Sequence, residues 1–290
     1  MKLKEAFERL RKNLQGFSEK PILTNSLVLI FITIIVITAS LNFYLKDYDN
    51  FLREVLAEAH GMIFDIAIIG ILIYWLNQRG ETRQRIKTYK DEIDDFRLWE
   101  SEEAAFRTAG NIKRLNRHKI YDLNLVNCYL AKANLNYVVL TSSNLNYANL
   151  MNTNLIDANL ENARLNQTRF ENCNLNRANF SESYANGANF NDANLIKSKF
   201  KNAFLIKANF RNAFLMEADL SGCYLTGADF TNANLYKADL RNTKGISIEQ
   251  LLQVKTLYLA KFDDDIVEIL EKEHPEYLGA SLANEKLQAS

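Results

Sequence analysis

The chain has 290 residues, with 35 basic against 35 acidic side chains and 48% hydrophobic content, values that on their own describe an ordinary soluble protein. Its three histidines, His60, His118 and His274, stand in three separate regions, and none of its ten glycines sits in a strand-to-helix phosphate loop. Spacing therefore supplies no metal cluster, no nucleophile-His-acid set and no nucleotide cradle, so the chain reads as a non-enzyme without a cofactor.

The apolar residues are unevenly spread. In residues 1–20, Leu3, Phe7, Leu10, Leu14 and Phe17 recur at helical spacing with lysines and arginines between them. This predicts a basic amphipathic helix on the inner membrane surface, or equally one that contacts a partner helix. Residues 21–45 carry no charge and are long enough to span a bilayer. A second run, 61–78, is interrupted only by Asp65; started nearer Glu58, it gives a second span over 58–78. A cleaved signal peptide competes for the first run, but that run is too long and has another span behind it.

Six Lys/Arg residues precede the first span and Arg79, Arg83, Arg85, Lys87 and Lys90 come after the second, whereas the loop over 46–59 holds only Lys46 and Arg53. The positive-inside rule then predicts an integral protein of the cell or inner membrane, both termini cytoplasmic and membrane lipid a partner. Asp65 is the candidate functional residue within a span, for instance lining a pore in an oligomer. The simpler reading, which we favour, seats it one turn inside the outer interface, where its carboxylate reaches headgroups or water.

Residues 79–119 are charge-rich, with Ile86, Tyr89, Ile93, Phe96 and Trp99 on one stripe. They predict a cytoplasmic linker helix, either a stalk or a self-associating coiled coil, with Gly110 to Ile120 as a lid on the repeats beyond it.

From Leu125 to Leu240 the chain has Leu or Phe at every fifth residue, 23 of 24 positions, the exception being Ala185. Two residues before each, from Cys128 to Ala238, stands Ala at 14 positions and Ser, Thr or Cys at the rest apart from Val138. A five-residue period suits neither a helix, where the leucines scatter, nor a strand, where they alternate faces. The chain must turn a corner in each repeat, pointing the small residue and the Leu/Phe inward. Such a solenoid is above all a surface. Cys128, Cys173 and Cys223 all occupy the small inward slot, as buried apolar groups rather than disulfide partners.

The units Ala158-Asn159-Leu160, Ala193-Asn194-Leu195 and Ala228-Asp229-Phe230 resemble the Ala-(Asp/Asn)-Leu-x-x motif of the pentapeptide-repeat family. That resemblance implies a right-handed quadrilateral β-helix with four repeats per coil, about six coils over residues 120–243 and roughly 30 Å tall. It also likens Gly245 to Tyr258 to the segment that closes such domains. Residues 244–290 are read as a helical cap and tail, with a helix over Asp263–His274 stopped by Pro275.

With four repeats per coil, residues 20 apart stack. The outward column Asn124, Asn144, Arg164, Tyr184, Phe204, Tyr224 then aligns three aromatics, with Ile206 beside them, while Ile196, Phe214, Met216 and Tyr236 lie opposite. Tyr184, Phe204, Tyr224 and Ile206 are the candidate partner surface, unless a terminal helix of the chain itself covers them. Family members that act on DNA topoisomerases are thought to mimic DNA with an acidic surface. Here residues 119–244 hold 13 Lys/Arg against 10 Asp/Glu, which does not fit, and the basic residues fall on several sides, so no nucleic acid is expected. The resulting expectation is a membrane-anchored docking or scaffolding protein that binds an unknown protein partner. The alternative is an oligomeric channel or transport-related protein, built as a homo-oligomer, whose solenoid assembles or gates the spans.

Overall fold

The computed structural model describes residues 21–44 and 48–275; the amphipathic segment read over 1–20 and the tail 276–290 lie outside them. The chain divides into two units after Gly80. In the first lie helix α1 (Pro21–Tyr44) and most of helix α2 (Tyr48–Asp95). The sequence predicts a loop over 46–59, but α2 already begins at Tyr48, since no Gly or Pro interrupts the chain between Asp49 and His60. Over Met62–Leu76 its large apolar side chains are all exposed, as are those of α1 from Leu29 to Ile37. The apolar stretch of α2 is long enough to cross a membrane by length and composition.

The second unit is built on the corner. At each one the N–H of the small residue donates to the carbonyl of the preceding Leu/Phe, as Ala133 does to Leu130 at 3.2 Å. The residue before it has positive φ, as in Lys132 at 60°, which a type II turn requires of its third residue. Only Gly187, Gly222 and Gly227 fill that seat with glycine; every other corner from Asn127 to Asn242 accepts an ordinary side chain. At Gly222 a Cβ would also come within 2.3 Å of Asn202 Oδ1, so any larger residue there would have to displace the Asn202 side chain.

Between corners the chain is extended for a single bridging residue, paired in parallel with the residue 20 positions on: Asn124 with Asn144, Tyr129 with Asn149, Asn134 with Asn154, Val139 with Asn159. Four such walls close one coil. The amides of the Leu/Phe and of the positive-φ residue donate to the next coil, as Leu125 N–H does to the Asn144 carbonyl at 2.7 Å, and that of the bridging residue donates to the previous one, as Asn144 N–H does to the Leu123 carbonyl at 2.8 Å, so the walls are held by hydrogen bonds although no strand exceeds one residue among the described residues.

Inside, the small residues and the Leu/Phe positions are buried throughout. Phe170, Phe190, Phe210 and Phe230 stack on one wall with centroids 4.9 to 5.1 Å apart, Phe180 and Phe200 stack at 4.7 Å on the opposite wall, and the two columns meet edge to face. Both arrangements suit the ring quadrupole. Ala185 fills the exceptional position and is buried as well.

An end of such a stack leaves carbonyls and amides without a neighbouring coil. The lid is helix α3 (Glu102–Arg117) rather than Gly110–Ile120. It begins earlier because Ser101 accepts the N–H of Ala104 as N-cap and because Ala105, Ala109, Ile112 and Leu115 give it a buried face. The linker helix stops at Asp95, and its Ile86, Tyr89 and Ile93 pack on the solenoid core, which removes that stripe from any coiled coil. Arg97 donates to the carbonyls of Val126 (2.5 Å) and Asn124 (3.1 Å), while Asn116 both donates to the Val139 carbonyl and accepts its N–H.

At the far end, helix α4 (Ile248–Leu251) starts with a capping box of Ser247 and Gln250. Residues 253–261 then extend the ladder, with Thr256 paired to Asn234 and Lys261 to Asp239. Helix α5 (Asp264–Glu273) closes the stack with Leu270 buried.

Candidate interaction surface

The bridging seat on each wall points outward. Where it holds Asn or Asp, the side-chain oxygen accepts the N–H two residues on, as in Asn159 to Glu161 at 3.0 Å and Asp229 to Thr231 at 2.9 Å, except at Asn154, where the Ile156 N–H donates to Asn136 Oδ1 one coil back. These Asx turns brace the next corner, so more repeat asparagines occupy the bridging seat beside the corner, 12, than its positive-φ seat, 8.

One wall departs from this pattern. Its column runs Asn124, Asn144, Arg164, Tyr184, Phe204, Tyr224, Lys244. The Tyr184 and Phe204 rings lie 4.9 Å apart and 4° from parallel, and Phe204 and Tyr224 lie 4.5 Å apart and 6° from parallel. Lys244 Nζ stands 4.5 Å from the Tyr224 centroid and donates to its hydroxyl at 2.9 Å. Arginine and aromatic residues cannot supply the Asx cap, and after Arg164, Tyr184 and Phe204 the neighbouring column takes over: the N–H of Asn166 donates to Asn146 Oδ1, that of Asn186 to Asn166, and that of Ile206 to Asn186. The aromatic column therefore leans on an asparagine column beside it.

Tyr184 is 45% exposed, Ile206 36%, and Phe204 and Tyr224 are half-buried by one another. The four candidate residues thus come together on one wall. The column read from the sequence stopped short of Lys244, although one further step of 20 residues reaches it. On the opposite wall, Phe214 is exposed between Asn194 and Asn234, and Tyr236 stacks on Tyr258 at 5.9 Å, so the apolar residues expected there form no continuous row.

Elsewhere the walls carry paired charges. Arg177 grips Asp157 at 2.6 Å and holds its carboxyl below the usual range through that hydrogen bond, while Lys197 lies 3.6 Å from Glu217. The cysteines are buried, and desolvation pushes the thiols up to about 11 at Cys128 and about 12 at Cys173 and Cys223. Cys173 and Cys223 lie 2.8 Å from the carbonyls of Leu150 and Phe200. Asp65 is exposed on α2 in the other unit, and the described residues hold no His/Cys/Asp/Glu group able to bind a metal.

A family model described as pentapeptide repeats matches residues 124–159, 133–172, 173–212 and 213–244. No curated protein matches the chain. Solved structures similar to it include a pentapeptide-repeat protein involved in heterocyst differentiation regulation from the cyanobacterium Nostoc (22% identity, 49% of this chain and 77% of that one, TM-score 0.26). Others are the plasmid-mediated fluoroquinolone resistance protein QnrB1 (18%, 52% and 86%, TM-score 0.29) and a pentapeptide-repeat protein of the Arabidopsis thaliana thylakoid lumen (26%, 37% and 74%, TM-score 0.21).

Proposed function

The chain is a pentapeptide-repeat protein over residues 124–244, and on that premise we propose that it is a membrane-anchored, non-catalytic docking protein. In this reading residues 21–45 and 58–78 form a transmembrane hairpin, residues 79–119 link and cap, and residues 120–243 form a right-handed solenoid of about six coils. The Lys/Arg asymmetry around the spans puts both termini and the solenoid in the cytoplasm. The exposure of every large apolar side chain from Met62 to Leu76 supports the anchor, since such a face is costly in water.

The observation that carries the docking role is the Tyr184, Phe204, Tyr224 row. Three large side chains sit where the repeat elsewhere favours Asn, at the loss of three Asx caps, and the solenoid interior gains nothing from them. Contact energy in protein interfaces concentrates in such aromatic anchors.

The test is capture from native membranes by the whole protein and by a variant with Tyr184, Phe204 and Tyr224 replaced by Ser. A protein recovered with the former and lost with the latter, at unchanged thermal stability, supports the reading. Lost stability with unchanged capture would overturn it.

A further inference from the structure

The docking wall is unusual in how its ends are finished. Arg164, Tyr184, Phe204, Tyr224 and Lys244 succeed one another in a single ladder, so three stacked rings are bracketed by two cations. Arg164 and Lys244 are exposed, and neither has a carboxylate partner among the described residues. Lys201 and Lys207, also exposed, flank the row in the same state. The outward positions of 201–207, 221–227 and 241–244 include no acid, whereas the coils of Arg164 and Tyr184 hold Glu161, which accepts from Asn179 on the neighbouring wall, and Glu182 at the corner; Arg241 is paired with Asp239, and Asp263 is engaged at the corner by the N–H of Asn242.

Ring orientation decides what can lie there. The faces of Phe204 are taken by its two neighbours, and the outer face of Tyr224 is covered by Lys244, so a nucleobase has little to stack on. What points outward is ring edge, the positive end of the aromatic quadrupole. Over its last three coils the wall is thus both apolar and electropositive, and its cations lack the carboxylate partners that Arg177, Arg211 and Arg241 have elsewhere. A bilayer would gain little, because of the four apolar residues only Tyr184 and Ile206 are exposed, while Phe204 and Tyr224 are partly buried.

Resting on the docking reading, we infer that the partner is an extended acidic segment of another protein, with two carboxylates bracketing apolar side chains. Four coil steps of about 4.8 Å separate Arg164 from Lys244, roughly 19 Å, the length of about six extended residues. Alternate side chains of an extended segment face the same way, so the wall-facing order is acid, apolar, apolar, acid. The carboxylates meet Arg164 and Lys244, and the apolar groups cover the ring edges.

The probe is a fluorescein-labelled peptide, Glu-Ser-Val-Ser-Val-Ser-Glu, titrated against the full-length protein in detergent, with counterparts carrying Gln or Lys at both ends. The Glu peptide is expected to bind at least about 10-fold more tightly than the Gln peptide, to weaken as salt rises, and the Lys peptide not to bind. The double variant R164Q/K244Q should lower the affinity for the Glu peptide about 10-fold and leave that for the Gln peptide unchanged, a coupling that general loss of structure would not produce. Equal binding of Glu and Gln peptides, binding of none, or an unchanged R164Q/K244Q variant would overturn the acidic assignment. Flotation of the protein with anionic vesicles that depends on Arg164 and Lys244, without peptide binding, would assign the wall to lipid instead. Capture of a membrane protein that still needs the three rings would then leave the docking reading standing, so the two fail separately.

Discussion

The hydroxyl of Thr168 donates to the carbonyl of Leu145, one coil and a corner away, at 2.8 Å, whereas Ser183, three repeats further on in the same kind of slot, is fully buried with no partner for its Oγ. An unmet buried hydroxyl costs about 1–3 kcal/mol, while a made one contributes about 0.5–1.5 kcal/mol. Ser183→Ala should therefore stabilise the protein by about 1 kcal/mol, and Thr168→Val should cost about as much. Denaturant unfolding of the two variants checks this, and equal shifts of the same sign would refute the distinction.

Ala178 and Ala193 are buried against close-packed neighbours. Enlarging either to Phe is expected to cost about 1–3 kcal/mol or more by overpacking. Asn179 lies outside, yet its side chain accepts from Ser181 and donates to Asn159 and Glu161, so Asn179→Ser should cost about 0.5–1 kcal/mol rather than nothing. Calorimetric melting of the three variants tests the ranking.

Arg97 binds the Asn124 and Val126 carbonyls at the open edge of the first coil. Arg97→Met should loosen that edge locally: amides of residues 125–139 should exchange about 10-fold faster while those of 205–225 keep their rate. Uniform acceleration would mean that the contact matters to global stability instead.

The thiols of Cys128, Cys173 and Cys223 are raised by burial above the ordinary value of 9.0, to about 11, 12 and 12. Folding with a raised thiol pKa favours the protonated form, so the associated stability is full below pH 9.0 and is lost as pH rises toward 11 to 12. The native protein should resist a maleimide at neutral pH until it is denatured. Replacing the three by Ala should flatten the decline in stability above pH 9.0; prompt labelling of the folded chain would contradict the burial.

Because the native thiols are shielded, a single added cysteine reports topology. One at Asn50 should react with an impermeant reagent outside intact cells, and one at Asn232 should not. The reverse pattern would overturn the orientation.

The solenoid was legible because its signal repeats: the Leu/Phe period fixed which side chains are inward, and a spacing of 20 brought Tyr184, Phe204 and Tyr224 to one wall. What the sequence hid is local and unrepeated. The start of α3 depends on a single serine, Ser101, and the end of α2 on a turn over residues 96–98 that no Gly or Pro announces. The asparagine column that replaces the missing Asx caps is invisible until coils are stacked, because each of its bonds joins residues 20 apart. Lys244 lay past the last Leu of the period, where the pattern no longer drew attention to it.

The parallel bridging of each residue to the one 20 positions later also makes the wall a matter of phase. Adding one pentapeptide after Leu195 would leave every inward slot correctly filled and the coil closed, yet it would carry Phe204, Tyr224 and Lys244 a quarter-turn around the axis, away from Tyr184. Only insertions of a whole coil keep the column whole, and one placed within it lengthens the spacing between its two cations by a fixed step of about 4.8 Å. The thickness of the stack thus works as a ruler, in which chain length is free to change in fives for folding but only in twenties for recognition.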